Sequence, residues 1–291
     1  MKSLGNKTVF ITGAASGIGL ALAKVCGSAG MSVMLSDIDD VALHAAVECL
    51  RAAGVDCDSV VCDVAQPAAM RHAAEVTIQR FGKVHFLINN AGILVIGGAS
   101  DNSLDTWRRV MDVNVMGVVH GVDAFLPLIR SHGEGGHILN TASVGGHVAY
   151  SAVLAYSTSK HAVVGLTEAL AEELRNENIG VSALCPGFTR TQIVSAMTSS
   201  SNFASDENQT LGFENAVENG MSPDVVARYA IEQVQQGALY IFTHPRTRDE
   251  VSRRSKLIEA AYEKAECSDL LREDPDAYRS LNVAGINVPS Q

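Results

Sequence analysis

Short apolar runs alternate with longer amphipathic stretches along the 291 residues of this chain. The runs are Thr8 to Ile11, Ser32 to Leu35, Ser59 to Val61, Phe86 to Ile88, His137 to Asn140, Gly180 to Leu184 and Leu239 to Phe242. The segments between them are long enough for crossover helices. This alternation predicts an α/β fold, a single doubly wound domain whose central parallel sheet carries helices on both faces and binds ligands beyond the carboxyl ends of its strands.

Punctuation residues refine the pattern. Ser222-Pro223 supply an N-cap and a first-turn proline for a helix that stops at Gly237. Residues 246–266 read as a charged helix, followed by a polar tail. The expected division is therefore a doubly wound domain over 1–245 and a C-terminal helical extension over 246–291. Ser195 to Gly220 breaks the pattern: rich in Ser, Asn, Glu and Thr, it reads as a structureless excursion, a binding loop over about 192–221.

Composition removes several classes of function. The chain is 47% hydrophobic and 19% charged, enough apolar residues for one large core, and its net charge of −10 leaves no basic face for nucleic acid or an anionic membrane. No run approaches the roughly 18 apolar residues of a membrane span. The six cysteines lack the paired spacing of a zinc site or a secreted disulfide framework, which points to buried thiols and a cytoplasmic protein. His120, His137, His147 and His161 show no ligand pair with a nearby carboxylate, so no metal is expected.

The chemistry starts at "TGAASGIG", residues 12–19, between a predicted strand and a predicted helix. Glycines at 13, 17 and 19 let a pyrophosphate approach the outward N–H groups of the helix start, with Ser16 and Ile18 in the same turn. Asp37 ends the second strand, where a dinucleotide fold places the acid that binds the adenosine ribose. A carboxylate there repels a 2′-phosphate, so NAD is favoured over NADP. Asp63 and Val64, after the third strand, fall near the adenine. Further along, Tyr156 and Lys160 sit four apart on one helical face, a pairing able to exchange a proton with an alcohol or ketone. Ser143 precedes them in a glycine-bearing loop, where its hydroxyl can hold the reacting oxygen.

Together, "TGAASGIG", "NNAG" at Asn89 to Gly92, Asn114, Ser143, "YSTSK" and "PGFTRT" at Pro186 to Thr191 resemble the short-chain dehydrogenase/reductase family over residues 5–245. The resemblance implies a Rossmann-type dehydrogenase with Tyr156 as general acid/base. Lys160 would bind the nicotinamide ribose and lower the tyrosine pKa. Ser143 would hold the substrate oxygen, and Asn114 would support a water-mediated proton relay. Asn90, Ala91 and Gly92 would line the cofactor cleft, with Pro186, Gly187 and Thr191 near the nicotinamide. A homodimer or homotetramer is implied, through the helices Leu104 to His132 and Tyr156 to Asn176.

Substrate choice falls to the segments after Ser143 and Pro186. Val144, His147, Tyr150, Phe188, Ile193 and Met197, with Val148 and Phe203, predict an apolar pocket for a bulky or aromatic secondary alcohol. Two readings stay open beside it: a 3-oxoacyl or hydroxysteroid type reductase on the same fold, and a non-catalytic NAD(H)-binding sensor.

Overall fold

The computed structural model describes residues 1, 3–193 and 207–274, with backbone only for 207–210. Seven parallel strands form one sheet in the order β3-β2-β1-β4-β5-β6-β7: β1 Thr8–Thr12, β2 Ser32–Asp37, β3 Cys57–Val61, β4 Phe86–Asn89, β5 Gly136–Thr141, β6 Ile179–Cys185 and β7 Tyr240–Phe242. All seven apolar runs are strands. The order reverses between β1 and β4, and this switch point opens a crevice beyond the strand ends.

Helices α1 Gly17–Ser28, α2 Asp40–Ala52, α3 Pro67–Phe81, α4 Leu104–Met111, α5 Gly117–Ser131, α6 Leu154–Glu173, α7 Glu207–Glu218 and α8 Pro223–Gln236 complete the domain. Side-chain alternation divides the core into two. Val9 and Ile11 face one layer, with Leu22 and Cys26 of α1 and Val226 and Ile231 of α8. Phe10 faces the other, where its ring stacks on Phe125 of α5 at 4.2 Å. Val163, Val164, Leu170 and Leu174 are buried within this chain and Leu166 is half-buried, so this apolar set serves the chain's own packing. Ser222 caps α8 through the N–H of Asp224, and Gly237 ends it in the left-handed conformation, as the sequence indicates.

Three expectations change. Part of the Ser195 to Gly220 segment is helix α7, because Phe213 and Val217, four residues apart, give it an inward face that the polar composition conceals; residues 194–206 lie outside the described residues. Cys49 and Cys267 are exposed, whereas Cys26, Cys57, Cys62 and Cys185 are buried. Finally, the continuous helical stretch Leu104–Ser131 is long and apolar enough to cross a membrane by length and composition. Its Val118, Phe125, Leu126 and Ile129 are buried, as the apolar face of a core helix is.

The chain divides into two compact units, Met1–His244 and Pro245–Gln291. The second contains α9 Arg248–Glu266 and α10 Asp269–Arg272.

Candidate functional site

The glycine turn is built by close approach. A Cβ on Gly13 (φ +63°) would lie 2.9 Å from Ala91 Cα, and one on Gly19 would lie 2.0 Å from Gly13 O, so neither position admits a side chain. Gly17 (φ +54°) faces Thr191, whose methyl would sit 3.0 Å from an added Cβ, which brings the distant Thr191 to the start of α1. Ser16 is the N-cap of that helix but makes no side-chain cap bond, and Ile18 is half-buried. The first turn also lacks an acidic residue, so it suits an incoming anion.

Beside the turn, the Asp37 carboxylate accepts from Ala15 N (3.0 Å), Ile38 N (2.8 Å) and Asp39 N (3.2 Å). Backbone bonds thus fix the acid at the loop edge. Asp63 accepts from Ala65 N (3.0 Å), and the carbonyl of buried Val64 accepts from His120 Nδ1 (2.9 Å). Thr12, whose role no local pattern signals, ties β1 to the "NNAG" turn: its Oγ1 accepts from Asn90 N (2.9 Å) and Ala91 N (3.0 Å). Asn90 Nδ2 donates to the carbonyls of Thr12 and Gly13 (3.1 and 3.2 Å). Gly92 keeps space open, since a Cβ there would come within 3.3 Å of Asn114 Oδ1 and 3.4 Å of Lys160 Nζ.

Asn114 lies in a π-helical turn, Asp112–Met116, between α4 and α5. Its buried amide accepts from Ile93 N (2.8 Å) and donates to Ile93 O and Ser159 Oγ (both 2.9 Å). The side chain is therefore committed to holding the "NNAG" loop against α6. Lys160 is buried on α6, donates to Thr141 O (2.8 Å) and lies 5.6 Å from the Tyr156 ring centre. Burial pushes its pKa down to about 8, an effect the nearby Cys185 thiol opposes.

Tyr156 is half-buried on the same helix. Burial raises its pKa, while its hydrogen bond to Ser143 works the other way. This differs from the simple expectation of a lysine-lowered phenol. The ammonium lies near the ring and is bound to a backbone carbonyl, so desolvation governs the hydroxyl. Ser143 itself accepts from Gly145 N (3.0 Å) and donates to Pro186 O (3.3 Å).

An apolar wall adjoins Tyr156. Buried Leu94, Ile96 and Val153 pack with Tyr156, Ile193 and Phe213, and Phe213 meets Phe188 edge-on at 5.7 Å. Of the predicted pocket residues, Phe188 and Ile193 join this wall. Val144 is buried and donates its N–H to Pro186 O (3.0 Å), and Tyr150 is exposed. His147 turns elsewhere: Nε2 lies 3.4 Å from Cys185 Sγ, and the ring packs on Phe242 and Tyr240. Met197 and Phe203 lie outside the described residues. Leu94, Ile96, Val153 and Phe213 were not foreseen because they meet only through folding. His244 is another such residue. Its Nδ1 accepts from Gly187 N (2.9 Å) and its Nε2 donates to Phe188 O (3.0 Å), which shapes the "PGF" turn.

Among the described residues, one other group of ionisable side chains has ligand-like spacing: His85, His132 and Glu134, beyond the opposite end of the sheet. His85 Nδ1 accepts from Thr8 N (3.1 Å), so its proton sits on Nε2, which donates to Glu134 (3.0 Å). His132 likewise accepts from Glu134 N (3.2 Å) and donates to Val84 O (2.9 Å). A metal on His85 Nε2 would require loss of that remaining ring proton. The cluster is a closed hydrogen-bond network.

The comparisons with known proteins agree with this geometry. The family pattern described as short chain dehydrogenase matches residues 7–202. The chain belongs to the short-chain dehydrogenase family. Cyclohexanol dehydrogenase of Acinetobacter sp. (strain SE19) is 36% identical over 190 residues, 65% of this chain and 75% of that protein. A short-chain dehydrogenase/reductase from Burkholderia phymatum in complex with NAD superimposes with a TM-score of 0.85 at 38% identity, covering 90% of this chain and 97% of that one. A variant of actinorhodin polyketide ketoreductase with NADPH gives 0.72 at 28% identity, covering 84% and 97%. This short-chain dehydrogenase thus shares its family and fold with oxidoreductases that carry NAD or NADPH and act on small molecules.

Proposed function

We propose that this short-chain dehydrogenase uses NAD to interconvert a bulky, hydrophobic or aromatic secondary alcohol and its ketone, with Tyr156 as general acid/base. The observation that carries the reading is the convergence on one half-buried hydroxyl: Ser143 bonds to Tyr156, Lys160 lies beneath its ring, and Leu94, Ile96, Val153, Ile193 and Phe213 wall the approach.

The residues present fit a nicotinamide dinucleotide. Gly13, Ser16, Gly17, Ile18 and Gly19 form a Cβ-free cradle at a helix start for the pyrophosphate. Asp37 would take the adenosine ribose. Asp39 and Asp40 follow it, and the described residues place no salt-bridged cation on Asp37, which supports NAD over NADP. Asp63 and Val64 would border the adenine, Asn90, Ala91 and Gly92 the cleft, Lys160 and Tyr156 the nicotinamide ribose, and Pro186, Gly187 and Thr191 the nicotinamide. Bound NAD supplies the hydride chemistry.

The chain's own residues orient the substrate and move its proton. Ser143 holds the alcohol or carbonyl oxygen, and Tyr156 exchanges the proton with it. Burial keeps that proton on Tyr156 at neutral pH, which suits donation to a carbonyl, so alcohol oxidation speeds up as pH rises and the phenolate fraction grows. Asn114 and Ser159 act as positioning residues for the loop under the substrate. The same reading makes the chain a cytoplasmic homodimer or homotetramer without a nucleic-acid or membrane partner, in keeping with its net charge of −10.

Initial rates of NADH and NADPH formation across aliphatic, benzylic, bulky aryl and steroid secondary alcohols test the proposal. Turnover of aryl or steroid alcohols with NAD supports it. Preference for NADP overturns the role of Asp37. Tight NADH binding with no turnover on any alcohol or ketone favours a sensor.

A further inference from the structure

Among the described residues, helix α9 presents an apolar stripe whose middle, Leu257, Ile258, Ala261 and Tyr262, is exposed, while Val251 and Ala265 at its ends are half-buried. Val251, Ile258, Ala261 and Ala265 recur at helical spacing, with Leu257 and Tyr262 on their flanks. Among the described residues of this 19-residue helix none is buried; Leu257 and Tyr262 are each 69% exposed. Isolated helices of this length are marginal in water, and most helical stability comes from packing an amphipathic face. The stripe therefore calls for a partner.

Charge identifies that partner. Residues 248–256 carry four cations (Arg248, Arg253, Arg254, Lys256) and two acids, whereas residues 257–266 carry three acids (Glu259, Glu263, Glu266) and one cation. The basic half of one helix complements the acidic half of another running the opposite way. Arg254 sharpens the choice, because it sits in the stripe, three residues after Val251 and four before Ile258. A parallel copy would set Arg254 against itself. An antiparallel copy with Ile258 opposite Ala261 at the crossing brings Arg254 to the level of Ala265, beside Glu266.

We propose that α9 is a self-association element that pairs antiparallel with α9 of a second copy of this chain. The partner chemistry is the chain's own: an apolar seam flanked by segregated, self-complementary charge. Because the pairing uses Pro245–Gln291 alone, it adds to any contact made by the dehydrogenase unit and doubles whatever assembly that unit forms.

Sedimentation velocity of the full chain over a concentration series tests this against the double variant Ile258→Asp/Tyr262→Asp. The expected result is a twofold lower limiting mass for the variant with unchanged turnover. Weakening of the wild-type assembly at high salt would support the charge pairing. Equal masses for the two proteins overturn the proposal; if the variant also melts at a lower temperature, another part of the chain covers the stripe. Orientation is read in a Cys49→Ser/Cys267→Ser background under mild oxidation. Ala261→Cys, close to the crossing, should form a disulfide between copies. Val251→Cys, separated from its counterpart by about 25 Å at helical rise, should not. Cross-linking through Val251→Cys would establish a parallel pair and overturn the antiparallel one.

Discussion

At the carboxyl end of the sheet, Ser143, Tyr156 and Lys160 meet beside an apolar wall. At the amino end, His85, His132, Glu134 and Lys83 meet with comparable density. Both groups are ionisable and tied to backbone, yet they use their bonding capacity differently. Every ring nitrogen of His85 and His132 is taken by the chain itself, and Glu134 is shared by Lys83 and His85, which hold its carboxyl down at about 2. Lys160, with three N–H donors, spends one on Thr141 O, and Tyr156 borders an apolar cluster built from four distant segments. Chemical potential follows from bonds left for a guest, rather than from the density of titratable groups.

The sharpest way to break the comparison is to remove one member from each end. Lys160→Met is expected to lower kcat by about 10²–10⁴-fold, the usual range for disabling proton-transfer machinery. Glu134→Gln is expected to lower the melting temperature and leave kcat unchanged. If Glu134→Gln were the more damaging to turnover, the two ends would have been assigned the wrong way round.

A smaller effect concerns acid stability. His137, at the amino end of β5, is buried; its Nε2 bonds to Ser182 Oγ (2.9 Å), while Nδ1 has no partner among the described residues. Burial pushes its pKa down to about 3. The unfolded chain takes up a proton near the ordinary value of about 6.5, so the contribution is complete above that pH and is lost as pH falls toward 3. Denaturant midpoints should decline through this window with a slope of up to about 1.4 kcal/mol per pH unit from this residue. His137→Leu should flatten the decline, and an unchanged slope would assign it to other groups.

How much of this could be read from spacing alone follows the range of the interactions. The strands, the glycine turn, Asp37 and the Tyr156–Lys160 pair are local patterns, and the structure displays them where the sequence suggests. Phe213 was concealed by the polar residues around it, and His147 turns toward Cys185 because β6 and β7 lie side by side, a relation that no local window contains. Thr12 and His244 act on turns 78 and 57 residues away. Adjacency in the sequence suggests a lysine-lowered tyrosine, but burial raises the Tyr156 pKa instead.

The smallest test refines the wall. Phe213→Ala should raise KM for bulky aryl alcohols by roughly tenfold, about 1.4 kcal/mol, and leave small aliphatic alcohols nearly unaffected. Equal effects on both classes would remove Phe213 from substrate selection.

The central claim is that the Tyr156 hydroxyl transfers the substrate proton. The most direct measurement pairs steady-state NADH formation by Tyr156→Phe with a fluorescence titration of NADH binding to the same variant. The account predicts turnover reduced by about 10²–10⁴-fold with NADH affinity within a few-fold of wild type. Turnover near the wild-type rate with intact binding would contradict it.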